Sequence, residues 1–318
     1  MLSVNQEAMK LVNTVIDQSE ALKIIVSQLP DGSTIIDMGQ KAEGSWLAGK
    51  YYAEITMGGF GEVTFGNFNL DGFDLPSVCV KSSHPLLAGW VSQKHADPIP
   101  GVENQPILAG PAKALLFPPD PSIIYADYDE TSKFAVVPLQ TDTPITIETT
   151  EWISKYCRVN PKNIFILVAP SNSLVCAIQI AARPIDNIMH RLHSEGFDIH
   201  KVTFASSETP LATLVKDDLS AMGRINDSML YGGKVMVYLD GEDSQIERIL
   251  PNLSTRCSPA YGKLFKQIFL EHDCDFHKID LRLWSVAKVQ INNISTGNCF
   301  STGEIDYSLL KKSFLSNK

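Results

Sequence analysis

The stretch Gln179-Ile-Ala-Ala-Arg183-Pro184-Ile185-Asp186 marks the clearest change in the sequence, from an apolar run to a pattern typical of the start of a helix. The apolar residues 174–182 predict a β-strand that ends at Arg183. Pro184 suits the first position of a helix, because its missing N–H would have no partner there. The sequence therefore predicts a helix over 184–195. We expect Arg183 at a strand end and Asp186 in the first helical turn, at a junction that commonly lines sites in α/β folds.

Two interpretations of Arg183 and Asp186 remain open at this point. The positive end of the helix and the guanidinium both favour the charged form of a carboxylate at Asp186. Such a pair fits a catalytic carboxylate held by a cation. It fits equally well a capping carboxylate with an incidental ion pair.

Strand and helix patterns continue on both sides of this junction. Apolar runs around Pro30-Asp31-Gly32 predict a β-hairpin, and the Thr- and Pro-rich residues 141–149 are the best candidate for a linker. The fold class expected is α+β or mixed α/β, with two domains at 1–145 and 146–318. The boundary is approximate, and the sequence leaves open whether each domain is continuous along the chain. The predicted helices are 4–22, 84–92, 148–156, 216–222 and 260–270, with a short helix near 112, and the predicted strands are 24–26, 34–36, 163–169, 201–204, 234–239 and 287–294.

The composition is that of an ordinary globular protein. The 318 residues carry 27 Lys and Arg against 36 Asp and Glu, a formal charge of −9, and 44% of them are hydrophobic. This balance excludes a disordered chain and argues against a partner that is nucleic acid or an anionic membrane surface. The most apolar stretch, residues 164–182, contains too many polar residues for a membrane span.

The spacing of cysteines and histidines indicates the redox state of the thiols, the cellular compartment and whether a metal site is expected. The chain begins without the pattern of a secretory signal, and its six cysteines are widely spaced. We therefore expect reduced thiols and a cytoplasmic location. His190-x-x-His193 and His272-x-Cys274-x-x-His277 invite a metal site, but neither matches a standard zinc framework, so none is expected.

Two glycine-rich turns are candidates for backbone binding of a ligand. Gly58 and Gly59 belong to a turn that lacks the lysine of a P-loop and the spacing of a dinucleotide fingerprint. Gly110 and Pro111 lead into a short predicted helix whose first N–H groups could hold an anion, with Lys113 adding positive charge. Plain turns explain both segments at least as simply, and the alternatives stay open.

Short segments spread over nearly the whole chain resemble the methenyltetrahydromethanopterin cyclohydrolase family in their order and spacing. The most specific block is Ala221-Met-Gly-Arg-Ile-Asn-Asp227, followed by Tyr231-Gly-Gly233. Gly223-Arg224 and residues 196–201 are more similar to the branch from methylotrophic bacteria than to the methanogen branch. The other matching segments are Ile35-Ile-Asp-Met-Gly39, Met57-Gly-Gly59, His84-Pro85, Gly110-Pro111-Ala112, Leu167-Val-Ala-Pro170, Ser173-Leu174, Arg183, His190, Gly196-Phe-Asp198, Asp275-Phe276, Lys278-Ile-Asp280, Ala287 and Thr296-Gly297.

The resemblance implies a cyclohydrolase of one-carbon metabolism. Its reaction would be the reversible hydrolysis of N5,N10-methenyltetrahydromethanopterin to the 5-formyl compound, in the setting of formaldehyde oxidation and methylotrophy. The carrier would be tetrahydromethanopterin or its dephospho form. The resemblance also implies two mixed α/β domains with the pterin cleft between them, a homotrimer, and no metal or redox cofactor.

The catalytic pair of the family is an Arg and a Glu three residues later, which map onto Arg183 and Asp186. The bridging carbon of the substrate is an amidinium-like cation, so the attacking water needs only modest activation by a carboxylate. The negative charge of Asp186 would also attract the cationic bridge, while Arg183 fixes its geometry. The substrate-binding residues implied by the resemblance are Gly58, Gly59, Gly110, Pro111, Lys113 and Ser173.

The sequence departs from the family pattern at several of these positions. Asp186 is one methylene shorter than Glu, which withdraws the carboxylate by roughly 1 Å and can cost on the order of a hundredfold in rate. Ala109 and Lys113 stand where Ser and Arg are expected, and Lys lacks the bidentate grip of Arg. Residues 208–211 replace a Gly-Ser-Ala-Pro segment. Two alternatives therefore stand beside an active cyclohydrolase: a catalytically weak homologue that binds a pterin, and a hydrolase of another methenyl pterin or folate.

Overall fold

The computed structural model describes residues 2–95 and 109–315. Within these ranges the chain folds into two units. One unit holds the residues up to Glu62 and those from Leu86 to Gln179, and the other holds Val63 to Pro85 and the residues from Ile180 onward. Each unit is built on its own sheet, so the expected mixture of helices and strands is confirmed.

The helices and strands are numbered in chain order. The strands are β1 (Ile25–Gln28), β2 (Thr34–Asp37), β3 (Glu62–Leu70), β4 (Phe73–Ser82), β5 (Ala135–Leu139), β6 (Ile164–Val168), β7 (Val202–Pro210), β8 (Lys234–Leu239), β9 (Lys288–Asn293) and β10 (Cys299–Gly303). The α-helices are α1 (Val4–Asp17), α2 (Ser19–Leu22), α3 (Trp46–Thr56), α4 (Pro121–Tyr125), α5 (Ile147–Cys157), α6 (Leu174–Ala181), α7 (Pro184–Ser194), α8 (Asp218–Asp227), α9 (Asp243–Ile249), α10 (Phe265–Glu271) and α11 (Tyr307–Phe314). Leu86–Gln93 and Ser228–Gly232 are π-helical, and the 3-10 helices are Pro111–Leu115, Pro161–Asn163, Ile199–Lys201, Leu250–Asn252, Thr255–Cys257, Phe276–Lys278 and Leu281–Leu283.

The first unit is built on a four-stranded sheet in the order β1-β2-β6-β5. β1 and β2 form the predicted hairpin, in which Val26 lies opposite Ile36. β6 pairs in parallel with both β2 and β5. Helix α5 covers the sheet, and its Trp152 and Ile153 belong to a buried apolar cluster with the inward side chains of β5 and β6. The core of this unit is therefore assembled from segments that are far apart in the sequence.

The second unit is built on a six-stranded sheet in the order β10-β9-β8-β7-β4-β3. β8 and β9 are parallel, whereas β7 is antiparallel to both β4 and β8. Along β8, buried Val235, Val237 and Leu239 alternate with more exposed residues, as the period of a strand dictates. Helix α7 packs against β7 and β8, so this sheet supports the helix that carries Asp186.

A buried carboxylate joins three helices of the second unit. Asp227 is the last residue of α8 and accepts hydrogen bonds from the N–H of Phe265 in α10 and from the Oγ of Ser313 in α11, each at 2.7 Å. Burial raises the pKa of Asp227 to about 7, although both hydrogen bonds act in the opposite direction. The contacts that Asp227 makes between these three helices therefore depend on whether its carboxyl group carries a proton.

The strand predicted at residues 174–182 is wrong, because residues 174–181 form helix α6. The side chains of α6 are apolar almost all round, and a run of this kind carries no period that separates a buried helix from a strand. The start of the helix is marked by Ser173, whose Oγ accepts a hydrogen bond from the N–H of Cys176 at 3.1 Å. Arg183 consequently lies between two helices and not at a strand end.

The other predicted elements are confirmed with changes in type or length. The helix expected at 84–92 is π-helical, and the one near 112 is a 3-10 helix. The strand expected at 201–204 continues to Pro210 as β7, and the helix expected at 216–222 continues to Asp227 as α8. None of the described helices is long and apolar enough to cross a membrane.

The predicted domains 1–145 and 146–318 do not coincide with the two units. Pairing of β6 with β2 and β5 groups residues 147–179 with the N-terminal strands. Pairing of β4 with β7 groups residues 63–85 with the C-terminal strands. The domain boundary itself stays a prediction.

Candidate active site

Arg183 and Asp186 meet at the beginning of helix α7. Pro184 is the first residue of this helix and Arg183 directly precedes it, as the sequence predicts. The Nη2 of Arg183 donates a hydrogen bond to the Oδ2 of Asp186 within an ion pair. The two residues are only 9% and 5% exposed. The structure thus brings together the two residues expected to be catalytic.

The position of Asp186 in α7 follows from local sequence. Residues three apart lie on the same side of a helical turn, which is why the side chains of Arg183 and Asp186 can reach each other. The first turn also offers N–H groups without partners inside the helix, a favourable setting for a negative charge. Buried Ile185, Ile188 and Leu192 fix α7 against its unit. The carboxylate is therefore held on a rigid element.

Asn187 also belongs to this turn, although no motif in the sequence pointed to it. Its Nδ2 lies 3.0 Å from the Sδ of Met229 and donates to the carbonyl oxygen of Ser285 at 3.3 Å. Asparagine is a weak helix former, so an Asn in the first turn directly after Asp186 is the signal that could have indicated it.

The predicted glycine turns of the first unit lie on either side of Ser92. Gly58 and Gly59 follow α3 with φ of 65° and 77°, values that favour glycine. A Cβ on Gly58 would lie 2.6 Å from the Oγ of Ser92, and the N–H of Gly110 donates to the Ser92 carbonyl at 2.8 Å. Gly110 also has a positive φ, 78°, and a Cβ there would meet Pro138 at 2.5 Å. Close packing thus explains these glycines, and their contact with substrate stays a prediction.

Pro111 and Lys113 are held by contacts within the same unit. The Nδ2 of Asn5 in α1 donates to the Pro111 carbonyl at 2.7 Å. Lys113 is fully buried, and its Nζ donates to the carbonyl of Trp90 at 2.7 Å and to the Oγ of Ser122 at 3.0 Å. In the structure this ammonium therefore stabilises the turn that follows Gly110. Its predicted contact with an anionic group of the substrate is a separate role that stays a prediction.

Ser173 begins helix α6 after the parallel strand β6. Its Oγ donates to the carbonyl of Pro170 at 2.7 Å and accepts from the N–H of Cys176. A Cβ on Gly39, which follows the neighbouring strand β2, would lie 2.7 Å from the Cβ of Ser173. Ser173 therefore stands at the carboxyl edge of the parallel strands, where ligands commonly bind in α/β folds.

The histidine motifs do not form a metal centre among residues 2–95 and 109–315. Within that part of the chain, no group of three or more His, Cys, Asp or Glu side chains is arranged to hold a metal ion. The expectation that catalysis needs no metal stays a prediction.

The sequence comparison decides the family. A family model described as Cyclohydrolase (MCH) matches residues 3–314. The chain belongs to this family. The methenyltetrahydromethanopterin cyclohydrolase of Methanothermobacter marburgensis is 36% identical over 319 residues, covering 99% of each chain. The enzyme of that name from Methanocaldococcus jannaschii is 35% identical, covering 98% of each chain. The one from Methanococcoides burtonii is 31% identical, covering 99% of this chain and 98% of the relative.

One departure from the expected pattern of the cyclohydrolase family lies on the second sheet. Glu208 of β7 accepts a hydrogen bond from the Oγ of Ser77 at 2.9 Å and pairs with the Nζ of Lys234 at 2.7 Å. Burial raises the pKa of the nearby Cys79 thiol, and the Glu208 charge raises it further. The carboxylate of Glu208 is thus paired with the ammonium of Lys234 on the adjacent strand β8. The sheet therefore accommodates a charged residue at this position.

Proposed function

We propose that this protein is a methenyltetrahydromethanopterin cyclohydrolase in which Asp186 orients and deprotonates the attacking water. The observation that carries the proposal is the buried ion pair between Arg183 and Asp186 in the first turn of α7. It lies at the two positions where the resemblance implies the catalytic pair. Family membership over residues 3–314 and relatives of that name at about full length support the same reaction.

The proposed chemistry needs one base and one positioned water. The water oxygen bonds to the bridging methenyl carbon and gives a proton to Asp186. The hydroxyl of the resulting adduct then loses its proton as its oxygen forms the C=O of the formyl group. The bond between that carbon and N10 breaks as N10 takes up one of the two protons that the water has given up, and the formyl group stays on N5. One proton is released overall. Because the bridging carbon is cationic before the water attacks, the proposal includes no metal or redox cofactor.

Arg183 has the supporting role in this scheme. Its guanidinium donates to Oδ2 of Asp186, which fixes the direction of the carboxylate through a charge-assisted hydrogen bond. The carboxylate charge attracts the cationic bridge in a site from which water is largely removed, where such an attraction is stronger than in bulk water. The shorter Asp side chain places this carboxylate closer to its own helix than Glu would.

The finer features of the proposal rest on the resemblance. They are the substrate-binding roles of Gly58, Gly59, Gly110, Pro111, Lys113 and Ser173, a cytoplasmic homotrimer, and a role in formaldehyde oxidation of the methylotrophic type. The assembly has a direct test in light scattering after size exclusion. A homotrimer has the mass of three 35.0 kDa chains, and a mass of one chain at micromolar concentration would contradict it.

The test of the reaction is loss of the methenyl absorbance when purified protein is mixed with methenyltetrahydromethanopterin. The matched substrate is the corresponding methenyl folate, assayed under the same conditions. We expect turnover of the methanopterin compound and a much smaller kcat/KM with the folate. Tight pterin binding without turnover would favour the catalytically weak homologue, and preferred turnover of the folate would favour the other hydrolase.

A further inference from the structure

Asn187 forms hydrogen bonds both within the first turn of α7, which carries Arg183 and Asp186, and with a residue outside this helix. Its backbone N–H donates to the carbonyl of Arg183 at 3.2 Å. Its side chain reaches away from the turn, with Nδ2 donating to the Ser285 carbonyl and lying 3.0 Å from the Met229 Sδ. One residue therefore joins the catalytic turn to two segments that are distant in the sequence.

Both anchors of Asn187 are firmly held. Ser285 is fully buried and its Oγ donates to the carbonyl of Leu253. Met229 is 2% exposed and belongs to the π-helical segment Ser228–Gly232, which continues α8 directly. Segments of π-helix are rare and are found frequently at functional sites. This one places a soft sulfur acceptor against the amide of Asn187.

These contacts suggest a role beyond filling space. Asn187 is 7% exposed, and an amide buried to that degree would cost free energy without its partners. An apolar residue of the same size would pack next to Met229 without that cost. The amide instead links the first turn of α7, which carries Asp186, to the buried Ser285.

We propose that Asn187 is a positioning residue for the Arg183 and Asp186 pair. The inference rests on the proposed cyclohydrolase function, because it concerns the geometry of that reaction. Asn187 acts through its side-chain bond to Ser285, because its backbone bond to Arg183 is the ordinary bond of a helix and is the same for any residue here except proline. It takes no part in proton transfer. A base displaced by about 1 Å can lose on the order of a hundredfold in rate, so a smaller displacement should lower kcat appreciably.

The test compares Asn187→Leu with Asn293→Leu. Both remove a buried amide that donates to a backbone carbonyl. Asn293 is the last residue of β9 and is fully buried, and its Nδ2 donates to the carbonyl of Gly241 at 2.7 Å and to the Oδ1 of Asp243 at 2.6 Å. We expect Asn187→Leu to lower kcat about tenfold with KM changed less than twofold. Asn293→Leu should lower the melting temperature while leaving kcat unchanged. Asn187→His, which retains a side-chain N–H donor, should recover part of the lost kcat.

The outcomes separate this inference from the proposed function. Wild-type turnover together with an unchanged kcat in Asn187→Leu overturns the positioning role and leaves the cyclohydrolase proposal standing. Equal loss of kcat in both Leu variants, in proportion to lost stability, overturns it as well, because the effect would then be general. A wild-type protein without turnover of any methenyl pterin contradicts the proposed function and the inference with it.

Discussion

The guanidinium of Arg183 and the carboxylate of Asp186 form a buried ion pair in the first turn of helix α7. Their side chains are 11% and 6% exposed, so both charges are largely removed from water. Replacing such a pair by apolar residues is often neutral for stability. Its presence is therefore better explained by a need for charge at this position than by a need for stability.

Removal of one partner of this pair should be costly. We expect Arg183→Met to lower the free energy of unfolding by about 3 kcal/mol, because it leaves the Asp186 carboxylate buried without its cation. Chemical denaturation measures this change. Lys10→Met, which breaks an exposed pair with Glu7, is the control and should have little effect. Equal small effects of both substitutions would show that the Arg183 pair is effectively solvated.

The buried carboxylate of Asp227 should make stability depend on pH. Its pKa is raised in the folded protein to about 7 from 3.8, so the folded state binds this proton more tightly than the unfolded state. This contribution to stability is complete below about pH 4 and is lost as the pH rises to about 7, by at most about 1.4 kcal/mol per pH unit.

Asp227→Asn isolates that contribution, because all other groups titrate alike in the variant and in the wild type. The unfolding free energy of the variant minus that of the wild type should increase between pH 4.5 and pH 8 in paired denaturation curves. A difference that stays constant over this range would contradict the raised pKa.

Gly58 should tolerate a side chain less well than Gly196. Both residues have positive φ, 65° and 80°, which costs roughly 1–2 kcal/mol for alanine. A Cβ on Gly58 would also lie 2.7 Å from the Cβ of Val4, whereas nothing lies within 4 Å of one on Gly196. We expect Gly58→Ala to be more destabilising by about 1–3 kcal/mol in denaturation experiments. Equal losses would mean that α1 moves aside freely.

Lys113→Met separates the structural role of this lysine from its predicted binding role. The substitution removes the buried ammonium that donates to the Trp90 carbonyl and to the Ser122 hydroxyl. We expect the free energy of unfolding to fall by about 1–3 kcal/mol, measured by denaturation without substrate. A variant of unchanged stability whose KM is raised tenfold would instead assign the ammonium to the substrate.

Local sequence was sufficient to predict that Arg183 and Asp186 lie close together, since Pro184 marks the start of the helix and residues three apart share one side of its first turn. It was insufficient for helix α6, because apolar side chains cover nearly its whole surface and leave no helical period in the sequence. The contacts of Asn187 join residues 42 and 98 positions apart, and no pattern within one segment indicates such neighbours. The burial of Lys113 depends in the same way on Trp90 and Ser122.

The central claim is that Asp186 acts as the base, and its most direct test is kcat for methenyltetrahydromethanopterin hydrolysis in Asp186→Asn. The substitution keeps the size of the side chain and removes its ability to accept the proton from water. We predict a loss of at least about a hundredfold in kcat, the usual contribution of a general base, while a conservative Asp186→Glu variant remains active. An Asp186→Asn variant that turns over as fast as the wild type would contradict the account.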